Sequence, residues 1–438
     1  MAGCRGAARD DRSAPGPRAR RPDGRRGGLS AGLRACDGRA GASAGRARAP
    51  RRAGTAARAV LHGTAAAGTC QPAGAGARRA GHRHGAESAR PARMIEAAAI
   101  DHPFPEPPVE GAAIEIAPGV LWMRLPLPMK LDHVNVYALD DGDGWTLVDT
   151  GFDTRRGRAI WRALLSGPLA GKPVARVLVT HHHPDHVGLA GWFKTDHGAQ
   201  ILTSRTAWLF ARMLQLDEQS VPTPETLAFW RACGMAHDIY ERRAAERPFN
   251  FADCVAPIPA GYTRLSQGDT LRAGGRVWDV HMGDGHAPDH VTLWSRSDAL
   301  VIGGDQLLPS ISPNIGVHAT EPEADPVGAW LDACARLAPL ARPDHLVLCG
   351  HKTPFVGLPQ RMRQLADNHH GALARLYAHL VEPKSAGDCF LPLFRREIGE
   401  GEYGLALSEA MAHCLHLWHS GQASRDIGAD GVWRFEAL

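Results

Sequence analysis

The chain has 438 residues, enough for two or three domains, with 44% apolar residues and a formal net charge of +4. That charge is unevenly held: residues 1–93 carry 20 Arg against five acids, so they account for +15 and leave −11 on residues 94–438. The acidic body argues against nucleic-acid binding, which needs clustered Lys and Arg, and the absence of an apolar run of about 18 residues argues against a membrane span.

Residues 1–93 contain no Phe, Trp, Tyr, Ile, Lys or Asn. Such a segment cannot bury enough apolar surface to offset its ordering entropy, so disorder is expected. Arg without Lys, among Ala, Gly and Pro, is also what GC-rich DNA yields when read upstream of a gene. The tail is therefore expected not to be a working part of the protein, with Met94 as the start; an Arg-rich nucleic-acid arm and a transit peptide are the alternatives. Six of the nine cysteines lie beyond the tail without CxxC spacing, which suits reduced thiols in a cytoplasm.

From about 113 to 150 four short strands are expected, separated by the turn signals Pro118-Gly119 and Asp141-Gly142-Asp143-Gly144. The last ends at Asp149, a carboxylate well placed to orient a metal-bound histidine. A helix over 154–167 precedes the stretch RVLVTHHHPDHVGLAG, residues 176–191. There a buried strand releases His181, His183, Asp185 and His186, the imidazole and carboxylate ligands of a hydrolytic metal site. His181 and His183 are two apart and point the same way in an extended segment, whereas His182 points the other way.

A helix over 187–195 and a strand at 200–203 follow, and then residues 205–250 read as two or three inserted helices. Their Trp208, Phe210, Met213, Trp230 and Met235 are expected chiefly as helix packing, with an apolar acyl-binding wall as the alternative; His237 and Tyr240 are expected at the surface. Strands resume at 263 and end repeatedly at a ligand-type residue: His286 after RVWDVHMG, Asp305 after ALVIGG and His351 after HLVLCG. Between the last two, a helix over 325–339 is expected, preceded by a polar, proline-containing loop at 306–325. That loop is expected to line a substrate pocket through Asn314 and His318, and Lys352 and His318 are the candidates for assisting a leaving group. Beyond 360 the pattern gives a long helix, a helix over 404–420 and a two-stranded element around Gly428–Gly431.

LVDTG (147–151), THHHPDH (180–186), the GH pairs at 285–286 and 350–351 and GGD (303–305) together resemble the metallo-β-lactamase superfamily over about residues 110–360. The resemblance implies an α/β fold, the αββα metallo-β-lactamase sandwich, for a catalytic domain at 94–360 with the helical insertion at 205–250. Residues 361–438 resemble the small winged-helix-like C-terminal domain of some members. By position, His181, His183 and His286 would hold one metal and Asp185, His186 and His351 a second, with Asp305 bridging and Asp149 behind them. The expected cofactors are two zinc ions, although the same ligands accept manganese or iron.

Asp305 argues against an antibiotic target, and His183 argues against oxygen reduction by a flavodiiron relative. What remains resembles the two-metal hydrolases: glyoxalase II, lactonases and RNase Z-like nucleases. The resemblance implies hydrolysis by a metal-bridging hydroxide, with Asp185 and Asp305 as catalytic carboxylates. The expected substrate is a small ester, above all an acyl thioester of the coenzyme A or glutathione type. A lactonase, an RNA-processing protein and a mononuclear iron dioxygenase of sulfur compounds are the alternatives. The expected partner is a small molecule, with nucleic acid and membrane disfavoured and a homodimer allowed.

Overall fold

Most strands of this chain are apolar on both faces, and each face finds a different partner. The computed structural model describes residues 99–438; the tail expected to be disordered, and the expected start at Met94, lie outside the described residues. The first sheet contains, in spatial order, β1 (Ile114–Ala117), β2 (Val120–Pro126), β3 (His133–Asp140), β4 (Trp145–Val148), β5 (Val174–Leu178), β6 (Gln200–Thr203) and β7 (Thr263–Arg264). Strands β1 to β4 form an antiparallel meander, and β4 to β7 are parallel. The second sheet runs from β8 (Thr270–Ala273) through β9 (Arg276–Gly283), β10 (His290–Ser295) and β11 (Leu300–Gly304) to β12 (Leu346–Cys349). Only its β11–β12 pair is parallel.

The period of two in the strands sorts side chains into layers. In β3, Tyr137 and Leu139 face the second sheet, while Val134, Val136 and Ala138 face the other way. Between the sheets, Trp122, Tyr137 and Leu178 meet Trp278, Leu293 and Ile302. The outer face of the first sheet is covered by α1 (Arg155–Ser166) and, beyond the single turn α2 (Pro184–Val187), by α3 (Ala190–His197). The expected helix over 187–195 is thus two helices. Fully buried Leu189 leaves helical dihedrals, at φ −101° and ψ 6°, and redirects the chain between them.

Three helices, α4 (Arg205–Leu216), α5 (Pro224–Ala232) and α6 (His237–Ala245), are inserted between β6 and β7. The outer face of the second sheet is covered by α7 (Pro326–Leu337) and α8 (Leu358–His379), which is the fourth layer of the expected αββα sandwich. After the short α9 (Phe390–Phe394) come α10 (Tyr403–His419) and an antiparallel hairpin of β13 (Ala423–Ile427) and β14 (Trp433–Ala437). Trp330, Leu365 and Met411 place α7, α8 and α10 in one continuous apolar cluster with Val301 and Val347 of the second sheet. Among the described residues six cysteines are free and buried, and no helix is long and apolar enough to cross a membrane.

Candidate metal centre

The ligand-type residues leave the C-terminal ends of strands in both sheets, and backbone bonds between the loops hold those ends together. Asp149 N–H donates to Leu178 O at 2.8 Å, Val291 N–H to Thr180 O at 2.8 Å, and Asn135 N–H to Gly350 O at 2.7 Å. The structure thereby brings His181, His183, Asp185, His186, His286, Asp305 and His351 to one place. Three sets of ligand atoms lie within 4.8 Å of one another: His181, His183 and His286; His181, His186 and Asp305; and Asp185, His186 and His351.

His183 Nδ1 stands 3.0 Å from both His181 Nε2 and His286 Nε2. Asp305 Oδ2 is central, at 3.4 Å from His186 Nε2, 3.5 Å from His286 Nε2 and 3.2 Å from His351 Nε2. Asp185 Oδ2 is 3.5 Å from His186 Nε2 and 3.4 Å from His351 Nε2. Zinc bonded at about 2.0–2.1 Å in a tetrahedron sets neighbouring ligand atoms about 3.3 Å apart. These separations fit that requirement.

The far side of each ring decides which nitrogen carries the lone pair. His286 Nδ1–H donates to Asn314 O at 2.8 Å and His351 Nδ1–H to His133 O at 2.7 Å. His186 Nδ1–H donates to Asp149 Oδ2 at 2.8 Å. Asp149 also accepts from Thr180 N–H and from the Thr180 hydroxyl, each at 2.8 Å. That hydroxyl's proton being so committed, its oxygen accepts from His181 Nδ1–H at 3.0 Å. Four imidazoles are therefore turned so that Nε2, the nitrogen left free to bind a metal, faces inward. His186 Nε2 and Asp305 Oδ1 are buried with no hydrogen-bond partner among the described residues. Buried polar atoms left this way are costly unless a further group binds them, and a divalent cation is the group this donor set fits.

Burial, reinforced by the neighbouring imidazoles, holds His181 and His183 well below the ordinary histidine range, so both are neutral at neutral pH. Against the effect of burial, Asp305, Asp185 and Asp149 raise His186 well above that range, and Asp305 with Asp185 raises His351 to about 10. Cation binding on that side must displace those protons.

Two glycines are required by this packing. A Cβ on Gly350 would strike Asp305 Oδ1, and one on Gly304, at φ +47°, would lie 2.6 Å from the His290 ring. His290 is a residue that sequence reasoning missed. It is fully buried, stacks on His181 with ring centroids 4.6 Å apart, and its Nε2 accepts from Asp305 N–H at 3.1 Å. Also missed was the bracket around His351. Tyr137 OH and Asn135 Nδ2 donate to Cys349 O at 2.8 and 2.9 Å, while Arg124 Nη2 donates to Lys352 O at 2.6 Å. Lys352 N–H donates to His133 Nε2 at 2.9 Å. These bonds hold Lys352 at φ +70°, a left-handed conformation costing on the order of 1 kcal/mol for such a residue. None of them leaves a motif in the sequence.

A cavity of about 970 Å³ opens beside His183. Its walls come from the insertion (Phe210, Trp230, Met235), from the 306–325 loop (His318) and from α10 (Leu405, Leu407). Three of the five insertion residues expected chiefly as packing thus face the cavity. Trp208 does not: it stacks on Tyr262 with ring centroids 4.7 Å apart. Met213 is 43% exposed. His182, outside the ligand sets, also lines the cavity, with its ring 5.1 Å from that of Phe210. Asn314 and Lys352, expected at the pocket, are not among its lining residues. Asn314 instead supplies the carbonyl for His286 and ties its amide to Glu409 Oε2 at 2.8 Å and Leu405 O at 3.2 Å. Lys352 is engaged through its backbone.

Comparison with known proteins agrees with this geometry. The family model of the metallo-beta-lactamase superfamily matches residues 129–351, a stretch that holds every ligand-type residue of the centre. The chain belongs to the metallo-beta-lactamase superfamily. A second model, the metallo-beta-lactamase-like C-terminal domain, matches residues 373–438. The solved structure of a beta-lactamase domain protein from Burkholderia ambifaria is 35% identical, with a TM-score of 0.72, over 77% of this chain and 98% of that one. A metallo-beta-lactamase family protein from Thermus thermophilus is 28% identical, with a TM-score of 0.61, over 74% of this chain and all of its own. The probable metallo-hydrolase YqjP of Bacillus subtilis is 26% identical over 299 residues, 67% of this chain and 90% of that protein. Within that superfamily the chain is a metallo-hydrolase whose His and Asp groups could hold a divalent metal.

Proposed function

We propose that the chain is a binuclear metal-dependent hydrolase of a small ester, above all an acyl thioester of the coenzyme A or glutathione type. The observation that carries this reading is a seven-residue donor set whose lone pairs converge beside an apolar cavity. His181, His183 and His286 would hold one ion and Asp185, His186 and His351 the other, with Asp305 Oδ2 between them. Such ions, when bound, supply a nucleophilic water at neutral pH and polarise the carbonyl under attack.

The chain's own groups do the rest. Asp149 keeps the His186 lone pair turned inward, and the Asn314 and His133 carbonyls do the same for His286 and His351. Asp185 is the less buried of the two inner carboxylates, which suits it to accept a proton from an entering water. His318, exposed on the cavity wall, is placed to contact the bound substrate. A thiolate leaving group needs little acid assistance, and among the described residues the centre carries no further side chain committed to that task.

The RNA-processing alternative is weakened by the lining of the cavity, where one Arg (Arg243) faces two carboxylates, Asp217 and Glu225. We read residues 361–438 as a winged-helix-like module that contributes to the pocket, in a protein of the cytoplasm. The test is metal analysis of the purified full chain together with a screen of thioesters, lactones and phosphodiesters. About two zinc, manganese or iron ions per chain with thioester turnover would support the reading. About one iron ion with oxygen consumption on a sulfur substrate would overturn it.

A further inference from the structure

Apart from His182, His183 and Pro184 beside the metal centre, the cavity is built from three stretches far apart in the chain, and all present apolar groups to it. Phe210 and Trp230 come from the insertion, Ala319 from the loop after β11, and Leu405 and Leu407 from α10. At about 970 Å³ it lies at the upper end of the range that takes up a drug-sized ligand. An acetyl group would leave most of it filled with water against aromatic walls. A phosphate-rich leaving group finds little to bind there, since Arg243 is outnumbered by Asp217 and Glu225. The part of a substrate suited to this space is uncharged, apolar and bulky.

Helix α10 is held in place as a wall of the site. Asn314, whose carbonyl orients His286, bonds both Glu409 Oε2 and Leu405 O of α10. Val317 N–H donates to Ser408 O at 3.2 Å. Further along, Asp325 caps α7 through Gly328 N–H and pairs with His416 at 3.0 Å, and Glu323 pairs with Arg425 at 2.9 Å. The loop between Asp305 and α7 is therefore fastened to the C-terminal segment along its length, and its position relative to the ligand His286 is set from α10.

We propose that the cavity is an acyl subsite selecting esters of long-chain or aryl carboxylic acids, and that α10 of the C-terminal segment is one of its selective walls. This rests on the ester-hydrolase reading and adds the substrate class. The acyl group would lie between the insertion helices and α10, with its carbonyl end beside His183 and the leaving group outside the cavity.

The test uses the metal-loaded full chain with straight-chain acyl esters and thioesters from acetyl to decanoyl, and with sodium acetate and sodium decanoate as binding probes in calorimetry. Because both carboxylates offer the same head group to the metal centre, their difference reports the cavity. The expected kcat/KM rises about four-fold per added methylene until the cavity is filled, and decanoate binds at least about ten-fold more tightly than acetate. Trp230→Ala on the insertion and Leu405→Asp on α10 should each lower the decanoyl-to-acetyl ratio about ten-fold or more. Leu405 is 58% exposed, so the charge can be introduced without disturbing the core.

A flat chain-length profile with equal binding of the two acids would overturn the acyl subsite while leaving the hydrolase reading intact. Selective decanoate binding, lost in both variants, without turnover of any ester would uphold the subsite and refute the hydrolase reading. Selectivity lost in Trp230→Ala but kept in Leu405→Asp would remove α10 from the proposal.

Discussion

The metal centre and the wall of the cavity sit side by side but are built on opposite plans. At the centre, strand ends from two sheets deliver side chains whose direction is fixed by a second hydrogen bond, so that Asp149, Asn314 O and His133 O each orient one ring. At the wall, helices α4, α5 and α10 present apolar groups with no such constraint, several of them partly exposed. Histidines are also buried away from both regions. The His369 and His413 pair between α8 and α10 is stacked at 5.3 Å with Nδ1 to Nε2 at 3.2 Å, yet belongs to none of the ligand sets. The difference is that ring nitrogens converge with carboxylates at the centre and not at the His369–His413 pair. Burial of a histidine is therefore no evidence of a metal site unless its partners also point to a common centre.

Changes at the centre should act on metal and activity together. Removing the central carboxylate with Asp305→Ala should strip metal and cost on the order of 10³-fold or more in turnover, since ions in such sites contribute several kcal/mol. Full activity with a full metal complement in that variant would refute the proposed two-metal mechanism.

The helical histidines should act on stability alone, and only toward acid pH. Burial lowers His369 to about 3 and His413 to about 4 from an ordinary 6.5. The unfolded chain therefore takes up protons first as pH falls below 6.5. Stability is intact above that pH and declines toward about 3, where the folded form protonates as well. Between pH 7 and 5 each such histidine should cost about 2 kcal/mol. In urea denaturation of the chelator-treated chain, His369→Asn should show an acid-induced loss smaller by that amount. An unchanged loss would show that the pair is not kept neutral.

A smaller effect is expected one bond away from the proposed metal ligands. Asp149→Asn replaces the acceptor of His186 Nδ1–H and should weaken metal binding about 10- to 100-fold, as read by competition with a chelating dye. Unaltered affinity would mean that the tautomer of His186 is set elsewhere. Smallest of all, His318→Ala on the cavity wall should change KM by less than about ten-fold and leave metal content untouched. A fall in metal content there would erase the distinction between the two regions.

Much of the fold was legible because the strands are short apolar runs that end in turn signals: the four-strand meander, a helical insertion after the strand at 200–203 and the C-terminal hairpin fall where the pattern places them. The ligand-type residues were legible for the same reason, since each directly follows an apolar strand. The orienting groups behind them were not. His133 and Asn314 act through backbone carbonyls, which any residue type could supply, and His290 occupies an ordinary strand start until Gly304 and His181 are packed on it. The cavity was hidden for a different reason. Phe210, Trp230 and Met235 carry the same apolar signal whether they fill a core or line a pocket.

By itself the sequence determined the strand ends, the spacing of THHHPDH and the donor chemistry of seven side chains, because these depend on local periodicity and residue type. Only the tertiary structure decided which nitrogen of each ring faces inward and that α10, more than two hundred residues from His183, stands across the cavity from the insertion. Those outcomes depend on contacts between chain segments whose separation leaves no periodic trace.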